Sequence, residues 1–274
     1  MTAEVDALDG TNIQTWHIAS ASLRGTSHEK SNQPCQDANY WRETPHGFLV
    51  AAVADGAGSA PLSQIGSAIA VKTAVDVVCD GLTILSATEI EQQLNLALRE
   101  AIASARQAVE AEAISLSVSS RDLATTLIVV VTNALLTAVA QIGDGASLAC
   151  DVDGNVWGLT VPQNGEYANE VTFLTSPNAL EMAQVSVQLR PLINVAILSD
   201  GLQMLALNMP EGSPYEPFFK PLFQFINEVE DEPKAIKELV QFLNSSRVRN
   251  RADDDLTLML ASNNQVKPRQ SPAG

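Results

Sequence analysis

A chain of 274 residues with a hydrophobic fraction of 46% is long enough for one large domain, or two small ones, with a sizeable core. Its 32 acidic residues against 16 basic ones give a formal net charge of −16, which repels nucleic-acid phosphates and anionic lipid heads and suits hard cations, although solubility alone is an ordinary reason for such acidity. Cys35, Cys79 and Cys150 lie far apart with no CxxC pair, which argues against a disulfide scaffold or a thiolate zinc site and for a reducing compartment. The N-terminus MTAEVDALDG is acidic and polar, unlike a signal or transit peptide, and the longest apolar stretch, ALLTAVAQIG, is too short for a bilayer. The expectation is a soluble, cytoplasmic protein.

Residues 15–24 alternate as a strand does, and 47–54 form a continuous apolar run, as in a strand buried on both faces. After Gly58 the period becomes helical. Ile65, Ile69 and Lys72 fall on one side and Ala68, Val71, Val75 and Val78 on another, with Pro61 in the first turn and Gly81 as the stop. A second long helix is predicted over 88–113, opened by a Thr88/Glu91 capping box and striped by Ile90, Leu94, Ala97, Ala101, Ala105 and Ala108. Strands return at TTLIVVV and ALLTAVA around Thr132-Asn133, and at SLACDV and NVWGLT around Asp153-Gly154, a dipeptide that accepts positive φ. INVAILSD reads as a buried strand, 233–246 as a helix with Ile236, Leu239, Val240 and Leu243 on one face, and 255–261 as an alternating last strand. Residues 205–232 mix prolines, aromatics and acids and are not assigned. Hairpin-joined strands imply antiparallel sheet, hence an α+β class. The domain is expected over 15–262, between a flexible N-terminus (1–14) and a disordered tail (263–274).

Acids recur where apolar strands meet turns: Asp55 in VADGAG, Asp200 in ILSDGL, Asp144 in QIGDGA, Asp37 in CQDANYW, and Asp253, Asp254 and Asp255 before the last strand. Any single Asp-Gly pair reads first as a turn. The repetition is the signal. If neighbouring strand ends converge, several carboxylates share a small volume, and a divalent cation resolves their repulsion. Oxygen ligands suit magnesium and manganese. No segment has the spacing of an EF-hand.

The strings CQD, VADGAG, DLATTL, QIGDGA, LSDGL and DDDLT occur in that order. Together they resemble the successive motifs of the metal-dependent serine/threonine protein phosphatases of type 2C (PPM-type), in particular the bacterial branch whose first motif reads His…Cys-Gln-Asp. Each string alone is weak; six in order from about residue 20 to 261 are specific. The resemblance implies an αββα sandwich with two manganese or magnesium ions at one edge. It matches Asp55 to the acid that bridges both metals and Gly56 to the glycine whose carbonyl binds one. Asp200 and Asp254 match the acids of the terminal motifs, and Asp37 the acid that closes the site, usually through water. Asp122 stands near where some members hold a third, weaker metal. Asp144 matches a loop acid of structural role, and Thr125 and Thr126 fill the family's Gly-Thr-Thr position, with Ala124 for the glycine.

The implied chemistry is phosphomonoester hydrolysis without a covalent intermediate, by a hydroxide shared between the metals, with Asp37, Asp55, Asp200 and Asp254 as the catalytic set. The implied partner is a phosphorylated protein, opposite a serine/threonine kinase, for a monomeric enzyme that binds neither nucleic acid nor membrane. Besides Ala124, the chain departs from the pattern in three places. Gln36 replaces a Glu, and Asn32 replaces an Arg that grips the phosphate in some members, leaving Arg24 and His28 as substitutes. Ala57 stands where animal members often have a His acting as general acid. The alternatives are an inactive relative that binds phosphoproteins in a regulatory role, or a structural domain whose Asp-Gly pairs are only turns.

Overall fold

Apolar runs of strand length pair into two five-stranded antiparallel sheets in the structure, a computed structural model that describes residues 16–82, 89–133, 135–163 and 171–265. One sheet has the order β1 (Trp16–Leu23), β12 (Leu256–Asn263), β9 (Asn194–Leu198), β6 (Ala146–Cys150), β7 (Val156–Gly158). The other has the order β2 (Ala38–Glu43), β3 (Leu49–Ala54), β4 (Leu127–Thr132), β5 (Thr137–Ile142), β8 (Gln184–Gln188). A small pair, β10 (Leu207–Asn208) with β11 (Ser213–Pro214), stands apart. The helices are α1 (Thr26–Ser31), α2 (Ser63–Gly81), α3 (Ile90–Leu116), α4 (Ala179–Met182), α5 (Gln203–Ala206), α6 (Glu216–Asn227), α7 (Glu232–Leu243) and α8 (Ser246–Arg249).

The continuous apolar character of β3 has a direct cause: its alternate residues serve two cores. Leu49, Ala51 and Val53 pack with Val195, Ile197 and Met259 of the other sheet. Val50, Ala52 and Ala54 pack with Ala70 and Ala74 of α2 and Leu98 and Ile102 of α3. The opposite sheet does the same, with Leu198, Leu258 and Leu260 meeting Phe219 of α6 and Leu239 of α7. The result is four layers, helix–sheet–sheet–helix, as expected for the αββα sandwich. For the same reason β12 is buried along its whole length, although its sequence alternates.

Some local expectations shift. The buried face of α2 runs through Gly66, Ser67, Ala70, Val71, Ala74, Val75 and Val78, while Ala68 is exposed. The α3 stripe is rotated toward larger residues, Leu94, Leu98, Ile102 and Val109, with Ala97 and Ala108 on its flank. Thr88 lies outside the described residues, and the helix opens after Glu89. The β4–β5 turn is longer than Thr132-Asn133, because Thr132 pairs with Thr137 and the Asn133 Oδ1 accepts from the backbone N–H of Leu135 and Leu136. The Asp153-Gly154 turn is present, with Gly154 at φ +83°. Asn263, assigned to the tail, closes β12 opposite Trp16 and is buried. Residues 1–14 and the tail beyond Gln265 lie outside the described residues. Among the described residues, no helix is long and apolar enough to cross a membrane.

Candidate metal centre

At the end of β3 the chain turns at Asp55-Gly56, and two threonines clamp that turn. Thr125 Oγ1 donates to the Asp55 carbonyl (2.9 Å), the Asp55 N–H donates to Thr126 Oγ1 (2.9 Å), and the Thr126 N–H donates to the Asp55 carbonyl (2.8 Å). The hydroxyls of the DLATTL string thus hold the Asp55 backbone. A Cβ on Gly56 would stand 2.7 Å from the Gln36 carbonyl oxygen and 2.8 Å from the Ser63 Cβ, so glycine is what lets α2 and the Gln36 segment close on this turn.

The other acids arrive from three more strand ends. Asp37, at the head of β2, is buried; its Oδ2 accepts from Ser199 Oγ at 2.7 Å, and its Oδ1 is buried with no hydrogen-bond partner. Ser199 Oγ in turn accepts from the Thr257 N–H at 3.0 Å, so β12 fixes the hydroxyl that fixes Asp37. Asp200 follows Ser199 in a 3-10 turn after β9, and its Oδ1 is also buried without a partner. Asp254 precedes β12, its Oδ1 accepting from the Asp255 N–H at 2.8 Å.

The electrostatics show that these carboxylates share one volume. Burial, and then the charges of Asp37, Asp200 and Asp254, hold the Asp55 carboxyl well above its ordinary range. Burial also raises Asp37 against the opposing Ser199 and Thr257 hydroxyls, with Asp255 and Asp200 adding to the rise. Asp254 is raised by burial, helped by Asp200 and Asp255. Among the described residues, no lysine or arginine pairs with any of them. Two orphaned carboxylate oxygens in a crowd of acids without a protein counter-charge fit hard divalent cations, and an all-oxygen donor set favours manganese or magnesium.

The remaining candidates are placed differently. Asp122 closes a capping box on Ser120–Leu123, its carboxylate accepting from the Ser119 N–H at 3.1 Å, and is not among the acids that press on Asp55. Arg24 is exposed, and its Nη1 donates to the Gln33 carbonyl at 3.2 Å. His28 is buried with Nδ1 2.9 Å from Asp255 Oδ1. Asn32 is the left-handed C-cap of α1 at φ +55°, a task asparagine performs well. Asp144, matched by resemblance to a loop acid of structural role, feels the charges of Asp200 and Asp254, which together with burial push its carboxyl up to about 6. His28, Asp254 and Asp255 bring ligand-capable atoms within 4.8 Å of one another, but both Asp255 oxygens already accept from backbone N–H groups.

Comparison with known proteins agrees with this geometry. The family model described as protein phosphatase 2C matches residues 24–244, stopping short of Asp254. Serine/threonine-protein phosphatase 3 of Escherichia coli K12 is 33% identical over 261 residues, covering 90% of this chain and 98% of the relative. In fold, the chain is similar to a bacterial serine phosphatase (TM-score 0.63, 13% identity, 92% and 99% of the two chains). It is also similar to the phosphatase Stp1 of Staphylococcus aureus (0.59, 12%, 93% and 99%). A third likeness is the catalytic domain of the phosphatase PstP in complex with two manganese ions (0.57, 16%, 90% and 97%). The chain belongs to the protein phosphatase 2C family and is a metal-dependent phosphoprotein phosphatase.

Proposed function

We propose that the chain hydrolyses phosphoserine and phosphothreonine on proteins, with two manganese or magnesium ions held by Asp37, Asp55, the Gly56 carbonyl, Asp200 and Asp254. The observation that carries this reading is the convergence of four strand-end acids with two buried, partnerless oxygens and no paired cation. The manganese complex of PstP and the name of the Escherichia coli relative support the metal and the substrate class. Bound there, two divalent ions supply an activated water and a positive field for the phosphoryl oxygens.

The chain's own residues provide placement. The threonine clamp on Asp55 and the Ser199 hydroxyl on Asp37 fix carboxylates that would otherwise splay apart. The free Oδ1 of Asp37 is an acceptor able to orient a water beside Asp200. Ala57 donates no proton, so the leaving oxygen takes its proton from water. Arg24, exposed next to the Gln33 segment, is the candidate grip on the phosphate, whereas His28 is buried beside Asp255. The catalytic unit is a monomer running from Trp16 to Asn263. A cytoplasmic setting opposite a serine/threonine kinase fits its free cysteines and its acidity.

Purified protein assayed on p-nitrophenyl phosphate and on a phosphothreonine peptide should turn over both with manganese, and neither after chelation. Folded protein that hydrolyses neither in excess manganese refutes the reading.

A further inference from the structure

Asp255 is 2% exposed, and no lysine or arginine neutralises it among the described residues. Its Oδ1 accepts from the Gly25 N–H at 2.6 Å and lies 2.9 Å from His28 Nδ1; its Oδ2 accepts from the Gln36 N–H at 2.5 Å. The Gln36 carbonyl then accepts from the Gly56 N–H (3.2 Å) and from Ser67 Oγ (2.6 Å). On its other sides, the Asp255 N–H donates to Asp254 Oδ1, and a Cβ on Gly201 would overlap the Asp255 carbonyl oxygen. One buried residue therefore touches the segments that carry Asp37, Asp200 and Asp254, and through a single residue, Gln36, it reaches the turn that carries Asp55.

We infer that Asp255 is the positioning residue of the metal centre: its carboxylate, packed beside the buried His28, ties the Gly25 and Gln36 backbone to the start of β12 and so sets the spacing of the four acids. A carboxylate suits this role because each of its oxygens accepts from a backbone N–H, with the His28 ring 2.9 Å away, and charge-assisted bonds to backbone N–H are short and strong. An amide at this position would turn an NH₂ toward one of those N–H groups. The inference rests on the two-metal reading above, and wild-type protein that binds two manganese ions and hydrolyses p-nitrophenyl phosphate establishes that reading independently.

The test compares Asp255→Asn, His28→Asn and their double variant with Asp151→Asn. Asp151 also accepts backbone N–H bonds, from Asp153 and Asn155, but in the β6–β7 turn, and so serves as a control for structural loss alone. In metal-free protein, amide hydrogen exchange at Gly25 and Gln36 should be at least tenfold faster in Asp255→Asn. With manganese, calorimetry should show at least one of the two ions binding tenfold or more weakly, and kcat should fall at least tenfold with KM within threefold. His28→Asn should shift each quantity the same way by less, and the double variant should be no worse than Asp255→Asn. Asp151→Asn should lower the melting temperature and leave kcat and manganese affinity unchanged. Wild-type manganese affinity and kcat in folded Asp255→Asn overturn the inference. If Asp255→Asn does not fold, His28→Asn decides: unchanged exchange, affinity and kcat in that variant overturn it as well.

Discussion

Asp55 is fixed through its backbone by Thr125 and Thr126, so its carboxylate can be altered without loosening the turn that carries it. Asp200 is likewise carried by a 3-10 turn of its own. Asp55→Asn and Asp200→Asn should therefore reduce turnover at least a thousandfold in manganese, while the metal-free proteins melt no lower than wild type, because each change removes a carboxyl from a crowd that is costly to ionise. Retained activity in both, or a large loss of metal-free stability, contradicts the assignment. Asp37, Asp55, Asp200 and Asp254, the proposed ligands, stand out in the sequence because each lies at a junction between a strand and a turn. Asp144 carries the same signature and was singled out with them, the resemblance then giving it a structural role. Asp255 was read only as part of an acidic run, since its partners at Gly25 and Gln36 are backbone amides, which leave no mark on a sequence. Nor does the sequence separate Asp122, which caps its own turn, from an acid that faces the site.

At the scale of elements, the site depends on how closely the end of β9 lies against the start of β12. Gly201 marks that approach, because an added Cβ would meet the Asp255 backbone rather than a flexible side chain. Gly201→Ala should push the two segments apart, costing about 1–3 kcal/mol of stability as overpacking does. It should also reduce kcat at least tenfold even where the protein is fully folded; a lower melting point with unchanged kcat would show that the spacing of β9 and β12 does not govern the site. Of the strands that make this junction, β9 was legible as a buried apolar run, while β12 was read as an alternating strand and is buried on both faces as well. The half-buried edge strand β8 was not legible, because its QVSVQ alternation is brief and polar. Helix α6 escaped for a different reason. Pro217 and Pro221 read as breakers, yet Pro217 occupies the first turn, where its missing N–H has no partner to lose. Phe219, Leu222, Phe223 and Ile226 keep helical spacing around them and are buried, and Phe219 and Phe223 stack with ring centroids 5.8 Å apart. That spacing was the available signal.

For the molecule as a whole, the acid cluster makes stability depend on pH in opposite senses with and without metal. Folding raises the Asp55 carboxyl above its ordinary range, raises Asp37 to about 7 and raises Asp144 to about 6. A carboxyl whose folded value exceeds its unfolded value binds protons more tightly when folded; its contribution is complete below the unfolded value, near 4, and is lost as pH rises through the folded value. Chelated protein should therefore melt at progressively lower temperature from about pH 5 to about pH 8. Acids held low by cations and hydrogen bonds, such as Asp76 and Asp151, act in the opposite sense, but only below about pH 4, outside this window. With manganese bound the slope should reverse, because protons now compete with an ion that stabilises the folded state by mass action. The two melting curves should converge toward pH 5 and separate by several degrees at pH 8. The net charge of −16 offers a rival cause for the chelated slope, since acid also relieves general self-repulsion. Salt separates the two: at about 0.5 M the Debye length is only a few ångströms, so exposed charges are screened while buried ones are not. The chelated slope should persist in 0.5 M sodium chloride; a slope that vanishes there, or a melting temperature of chelated protein that rises with pH, rules out the clustered carboxyls as its source.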